Sequence, residues 1–475
     1  MKTDELERQL RSALRETLDQ EAGPDPAWAE SPAARRVAAL DRNRRRWPLR
    51  LLAVAAVIGA AGGAALLAGA PHQPAAYSNG RIAYTVLHAD PAGGDPDTDI
   101  WLTALDEQPR RVIGSDTDGV DQACPAFSPD GRRLAYGSVE GLWSTTDTDV
   151  TQWPDYRNSA LVIADVADDG TVVDRLTVDV GDGVPLPCPV WSPHGDQLAF
   201  GVPLTSPINP SRSGQGSAVW ILRLADRHVI VIPDLLATDL EWSPDGSMLA
   251  IAGGPETDSG GRVRNGLLDP RLYLYELSTG TLRTLDAPTR ASGLTWSPDG
   301  ERIVYASSQP SDDSRLTLYI IDVTTGQQEV LTHGYGAVHG VGPVWSPDGR
   351  TIAYQRSISG ERHEVVLVTP DDRSAPTGLA NEVVMPTERT TADGSSLELW
   401  PWRVTWSPDG KSLLYVAWTY PNGRSGAGTV EKTVMAAVPT DPKAPAVILA
   451  NDVLAYDSDD TMRVPIQIWG RLPSN

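Results

Sequence analysis

The sequence predicts an all-β fold, a seven-bladed β-propeller, preceded by a short helical cytoplasmic segment and one transmembrane helix. Three observations carry this. An aromatic residue followed by Ser-Pro-Asp-Gly, or a near variant, occurs six times, beginning at Phe127, Trp191, Trp242, Trp296, Trp345 and Trp406. The copies lie 49 to 64 residues apart, a period that suits one four-stranded blade. Ahead of them, residues 51–70 form a run of twenty without a charge, about what a bilayer core requires.

Each copy of the phrase reads as a turn between two antiparallel strands. In Ser243-Pro244-Asp245-Gly246, Pro sets φ at the second turn position, while Ser, Asp and Gly suit the first, third and fourth positions of a type I turn. The strand before the turn ends in the aromatic. The strand after it alternates, as in Leu134/Tyr136, Leu198/Phe200, Leu249/Ile251, Ile303/Tyr305, Ile352/Tyr354 and Leu413/Tyr415. Period-two alternation sends one set of side chains between packed sheets, so the repeated Trp reads as inter-blade core. A third apolar strand follows, such as Leu272 to Tyr275, then a Thr-Gly turn and a polar fourth strand near Thr281 that suits an exposed edge.

Before the first phrase, Gly80 to Tyr84 reads as a second strand without a first, with Asp99 to Leu105 and Arg110 to Ile113 as the third and fourth. A lone strand near Val464 to Trp469 is left after the last blade. Joining it to those three closes the ring and removes exposed edges. One composite blade and six phrases make seven; six is the alternative if one phrase-bearing segment lies outside the ring. The domains are then a cytoplasmic helical segment (1–47), a transmembrane helix (48–70), a linker (71–79) and a propeller (80–473).

The R-I-A-Y run at 81–84, the recurring W-S-P-D-G-x-x-[LI]-[AV]-[YF] and the D-I-W-L strand at 99–102 resemble those of TolB-type, WD-repeat-like bacterial propellers. The resemblance covers roughly residues 80–473. It implies a binding or scaffold module of the cell envelope, though such blades also occur in transport-associated and peptidase-linked proteins. The separate α/β domain that usually precedes a TolB-type ring has no counterpart in this sequence.

Residues 31–50 hold seven Arg against the single acid Asp41, and no Lys or Arg follows the apolar run before Arg81. The positive-inside rule places the N-terminus in the cytoplasm and the propeller outside the cell membrane, with 51–70 as an uncleaved signal-anchor. A cleaved signal peptide, cut after Ala68-Gly69-Ala70, is the rival reading. Gly59 and Gly63 form a G-x-x-x-G that suits a homodimer face. Residues 3–22 read as a helix with a narrow stripe of Leu6, Leu10, Leu14 and Leu18, which needs a cytoplasmic partner or the membrane surface to cover it. This layout resembles that of membrane-bound anti-sigma-like regulators, and a signalling role is the alternative function. The His and Cys of the zinc-binding anti-sigma pattern are missing from 1–71.

Residues 1–50 carry a net charge of +2 and the remainder −24. An acidic outer domain argues against nucleic acid or an anionic surface as its partner and permits cations and basic ligands, and the partner expected at the propeller face is a protein or small ligand. Cys124 and Cys188 each stand three residues before a motif aromatic, equivalent places on neighbouring inner strands, and suggest a disulfide.

No G-x-S-x-G elbow, H-E-x-x-H, C-x-x-C or P-loop is present, and no chain follows the ring to hold a hydrolase domain, so the sequence predicts a protein that is not an enzyme and has no cofactor, with an enzyme bearing an unfamiliar channel site as the further alternative. Asp95-x-Asp97-x-Asp99 opens like a calcium loop but has Ile100 where Gly is required, and Asp116-x-Asp118-Gly119-x-Asp121 is a further calcium candidate. A ligand would meet the loops before each motif, 116–122, 182–187, 237–239, 290–292, 334–340 and 399–403. Asp118, Asp121, Asp239, Arg290, His339, Trp400 and Trp402 are their candidate binding residues.

Overall fold

The computed structural model describes residues 77–473, apart from 89–96, 106, 115–118, 141–156, 182–186, 204–216, 234, 255–270, 286–290, 310–311, 334–341, 360–361, 372–380, 392–395, 420–431, 442 and 452–466. The helices expected at 3–22 and 48–70 lie outside these residues. Among the described residues no helix is long and apolar enough to cross a membrane.

Seven antiparallel sheets follow one another along the chain. Blade 1 is composite. Its inner strand Gln467–Pro473 pairs with Tyr77–His88, which is followed by Asp97–Ala104 and Glu107–Ile113. The closing register sets Ile82 opposite Trp469 and Tyr84 opposite Gln467. Of the lone strand expected near Val464 to Trp469, residues 464–466 lie outside the described residues and the rest falls in Gln467–Pro473.

Blades 2 to 6 each take four consecutive strands, as in blade 4: Leu236–Trp242, Met248–Gly254, Arg271–Glu276 and Thr281–Thr284. The last of these is exposed along its whole length, as its polarity predicts. Blade 7 carries a fifth strand, Glu388–Thr390, on the inner strand Ser396–Trp406.

The apolar cores lie between blades rather than within them. Val304 and Ala306 of blade 5 pack with Trp345 and Tyr354 of blade 6. Ile82 and Tyr84 of blade 1 pack with Leu414 and Met435 of blade 7, and Ala83 with Phe127 and Leu134 of blade 2. Period-two strands have two buried faces in such an arrangement, which is why the second and third strands read as nearly continuous apolar runs.

The recurring phrase builds these interfaces as well as the turns. In the blade 4 copy the Gly246 amide donates to the Ser243 carbonyl at 2.8 Å. The buried Ser243 hydroxyl donates to Asp245 Oδ1 at 2.6 Å and accepts the Met248 amide at 2.9 Å. Gly246 has φ +70, which suits glycine alone among residues of this turn, and a Cβ there would stand 2.9 Å from the His194 ring. The variant copy at 192–195 has His194 in place of Asp, and Asp196 takes over as acceptor for Ser192 at 2.8 Å.

The indoles cross from blade to blade. Nε1 of Trp191, Trp242, Trp296 and Trp406 donates to the carbonyl of Ala126, Val190, Glu241 and Val344, the residue just before the preceding blade's aromatic, at 2.8 to 3.2 Å. Arg133 lies 4.8 Å over the Trp191 ring and Arg302 5.4 Å over Trp345. The motif Trp is thus core with a polar anchor.

Burial works against the charge on Asp245, but the Ser243 hydroxyl and the Ser247 amide outweigh it and hold the carboxyl below its ordinary 3.8. Asp130 is lowered against the same opposing burial, by Ser128 and the Arg132 amide. A depressed folded value gives stability that is fully present above the ordinary value and lost as pH falls through the folded one. The urea midpoint is therefore expected to hold steady down to about pH 5 and to fall below about pH 4. In Ser243→Ala that acid-side fall should be shallower; an identical fall would remove the turn carboxylates from the account.

Candidate ligand face at the inner strands

Four inner strands are bulged just ahead of the motif aromatic, at Ala123/Ala126, Ala237/Asp239, Ser292/Leu294 and Pro401/Arg403. Cys124 (φ +57) and Gly293 (φ +53) occupy the same place in blades 2 and 5, both left-handed. A bulge bends the strand and re-aims its side chains, so the residues around it face neighbouring blades.

Asp239 and Asp121 show the result. Asp239 Oδ1 accepts the Leu240 amide at 3.0 Å and Oδ2 the Leu294 amide of blade 5 at 2.8 Å. Asp121 is buried and its Oδ1 accepts from the amide and the hydroxyl of Thr98 in blade 1, both at 3.0 Å. Both acids stitch adjacent blades.

Glu241 acts likewise, taking the Trp296 amide on Oε2 at 2.9 Å. Sequence reasoning passed over Glu241. A signal was there, because the other copies place Ala126, Val190, Thr295, Val344 or Thr405 before the aromatic, and an acid at that core-edge position requires a partner. Asp239→Ala should cost about 2 kcal/mol in chemical denaturation, since it leaves two inner-strand amides without their acceptor. An unchanged midpoint would sink the stitching role.

Asp99 is fully buried and takes the Arg111 guanidinium on Oδ2 at 2.9 Å. Its other oxygen crowds Gly114 (φ +100), where a Cβ would stand 1.7 Å from Asp99 Oδ1 and 2.7 Å from Gln122 Oε1. Asp118, Arg290 and His339 lie outside the described residues. Among the described residues no three His, Cys, Asp or Glu side chains gather about one point.

Four expectations about loops are corrected. Residues 120–122, 237–239, 291–292 and 399–403 belong to the strands Val120–Phe127, Leu236–Trp242, Ala291–Trp296 and Ser396–Trp406. Trp400 is paired with Trp418 and Trp402 is the extra residue of the blade 7 bulge, so neither stands on a loop. Pro401, which made the segment look like a loop, is accommodated beside that bulge, where the ladder is already interrupted.

Cys124 and Cys188 are joined by a disulfide with Cα atoms 5.0 Å apart, linking blade 2 to the segment entering blade 3. Cys124 is buried and Cys188 half-buried.

No family model matches the chain. A curated sequence relative is the uncharacterized peptidase YuxL of Bacillus subtilis, 29% identical over 129 residues, which are 26% of this chain and 18% of that protein. The chain thus spans under a fifth of the relative it matches. Among solved structures, TolB from Acinetobacter baumannii is 22% identical, with a TM-score of 0.40 over 62% of this chain and 61% of the other. A prolyl endopeptidase shares 13% identity and a TM-score of 0.51 over 80% of this chain and 50% of its own. The shared feature is the propeller fold. The expectation that the chain is not an enzyme is corrected here: its curated sequence relative is a peptidase, and a peptidase carries the same wheel, so catalysis stands among its open functions.

Proposed function

We propose that this chain is a membrane-anchored, extracytoplasmic propeller of the bacterial envelope that captures a protein or small ligand on the loops leading into its inner strands. The observation that supports this most directly is the Cys124–Cys188 disulfide, because such bonds persist in oxidising compartments. The uncharged run at 51–70, with its Arg-rich upstream flank, agrees with export. Asp121, Asp239 and Glu241 are spent on stitching blades together. Ligand contacts are therefore assigned to the connections 115–118, 182–186, 286–290 and 334–341, carried on a frame already ordered before binding.

The peptidase relative favours a second reading, in which the same loops turn their ligand over. Both readings are tested on the full chain with an N-terminal tag. Added protease should digest the propeller in intact spheroplasts and spare the tag; a propeller cut only after lysis would overturn the placement. Crosslinked partners should be lost when 334–341 is replaced by a Gly-Ser stretch of equal length, and partners retained would overturn the loop assignment. Peptide hydrolysis by the parent chain that disappears with the same replacement would support the second reading.

A further inference from the structure

Blade 7 departs from its siblings at one position of the repeat. Nine residues after the motif aromatic, the second strand carries Tyr136, Tyr305, Tyr354 and Tyr415 in blades 2, 5, 6 and 7. In the first three the hydroxyl donates to an acceptor on the outer strand of its own blade. Tyr136 reaches Asp174 Oδ1 at 2.9 Å, Tyr305 reaches Gln328 Oε1 at 2.8 Å, and Tyr354 reaches Glu382 Oε1 at 3.0 Å. The Tyr415 hydroxyl is buried and has no hydrogen-bond partner among the described residues.

The polar group brought to Tyr415 is a cation. Arg389, on the extra strand Glu388–Thr390, is only 3% exposed. Its Nη2 donates to the Pro439 carbonyl at 2.5 Å, while Nε and Nη1 have no partner. The Ala446 amide donates to the carbonyl of the next residue, Thr390, at 2.8 Å. Ala446, Val438 and Met385 share one apolar cluster with Tyr415. Burial pushes the guanidinium below its ordinary value, against the opposing electrostatic pull of Tyr415 and of the Asp441 carboxylate. Among the described residues no carboxylate lies within ion-pair distance of Arg389. The Nε–H, both Nη1–H groups and the Tyr415 O–H are therefore buried without an acceptor, and a buried cation left in that state is costly.

We propose that blade 7 binds a small monovalent anion between Arg389 and Tyr415, in the acceptor role that Asp174, Gln328 and Glu382 fill in the other blades. The anion neutralises the guanidinium and fastens the extra strand to the blade. The test is thermal unfolding of the full chain followed by Trp fluorescence, at constant ionic strength, with gluconate replaced stepwise by chloride or by acetate. Gluconate is too bulky for a site enclosed by packed side chains.

The unfolding temperature should rise by a few degrees and saturate with chloride, acetate or both, the two series separating a halide from a carboxylate site. Arg389→Gln should abolish the rise, and Tyr415→Phe should shift its midpoint several-fold to higher anion concentration. Should Arg389→Gln not fold, Tyr415→Phe decides, and an unmoved midpoint overturns the site. A response unchanged in Arg389→Gln, or no saturable response in the parent, also overturns it. So does Asp441→Asn, the carboxylate that acts on Arg389 electrostatically, if in gluconate it destabilises as much as Arg389→Gln, because the chain would then supply its own counter-ion.

Discussion

Replacing Cys124 and Cys188 by Ser is expected to lower the stability of the propeller by about 4 kcal/mol. The bond closes a 64-residue separation, and the chain-entropy relation for a loop of that size gives ~4 kcal/mol. Local structure offsets a small part of this. Cys124 is held at φ +57 inside a bulge, and without the crosslink nothing covalent opposes its return to an extended conformation. Guanidinium denaturation of the double mutant, compared with the reduced and oxidised parent, measures the cost. The reduced parent should fall close to the double mutant. A loss under about 1 kcal/mol in both would mean that blades 2 and 3 are held by their indole and turn contacts alone.

Gly114→Ala should be as damaging, at about 4 kcal/mol, though it adds one methyl group. The position has φ +100, a conformation that costs an L-residue ~1–3 kcal/mol. The new Cβ would also fall 1.7 Å from Asp99 Oδ1, on a carboxylate that is fully buried and tied to Arg111. Moving Asp99 aside would leave the Arg111 pair broken in a site with little water, so overpacking adds ~1–3 kcal/mol. Differential scanning calorimetry of the variant should show a Tm lower by many degrees. A Tm within two degrees or so of the parent would mean that Asp99 moves freely, and the buried pair would lose its structural role.

The wheel could be read from the sequence because its information is local. Ser243-Pro244-Asp245-Gly246 encodes a turn by its own chemistry, and Leu249/Ile251 encodes a two-sided strand by its own spacing. Closure was legible as a strand count, because Ile82 needed a first strand and the segment around Trp469 had no partner. The uses of the inner-strand acids were hidden. Asp239 accepts an amide 55 residues further along, at Leu294, and an acid before a strand looks the same whether it meets solvent or a neighbouring blade. Trp402 was misread for a related reason: an X-Pro step signals a loop, but a bulge in a paired strand tolerates the same residues. His194 shows the opposite case, where the repeat departs from its pattern and Asp196, two residues on, restores the missing acceptor. Catalytic function was the least legible, because blades built on identical packing rules serve binding proteins and peptidases alike.

The antiparallel pairing of Gln467–Pro473 with Tyr77–His88 has a temporal consequence. The strand that completes the first blade is the last of the ring to be synthesised, so nearly four hundred residues must emerge before the first blade can finish. Until then the edge at Ile82 offers unpaired backbone groups that any extended peptide could seize. Such a chain must be guarded while it is made, and a product truncated before Gln467 would keep an open seam, suited to proteolytic clearance rather than to partial function.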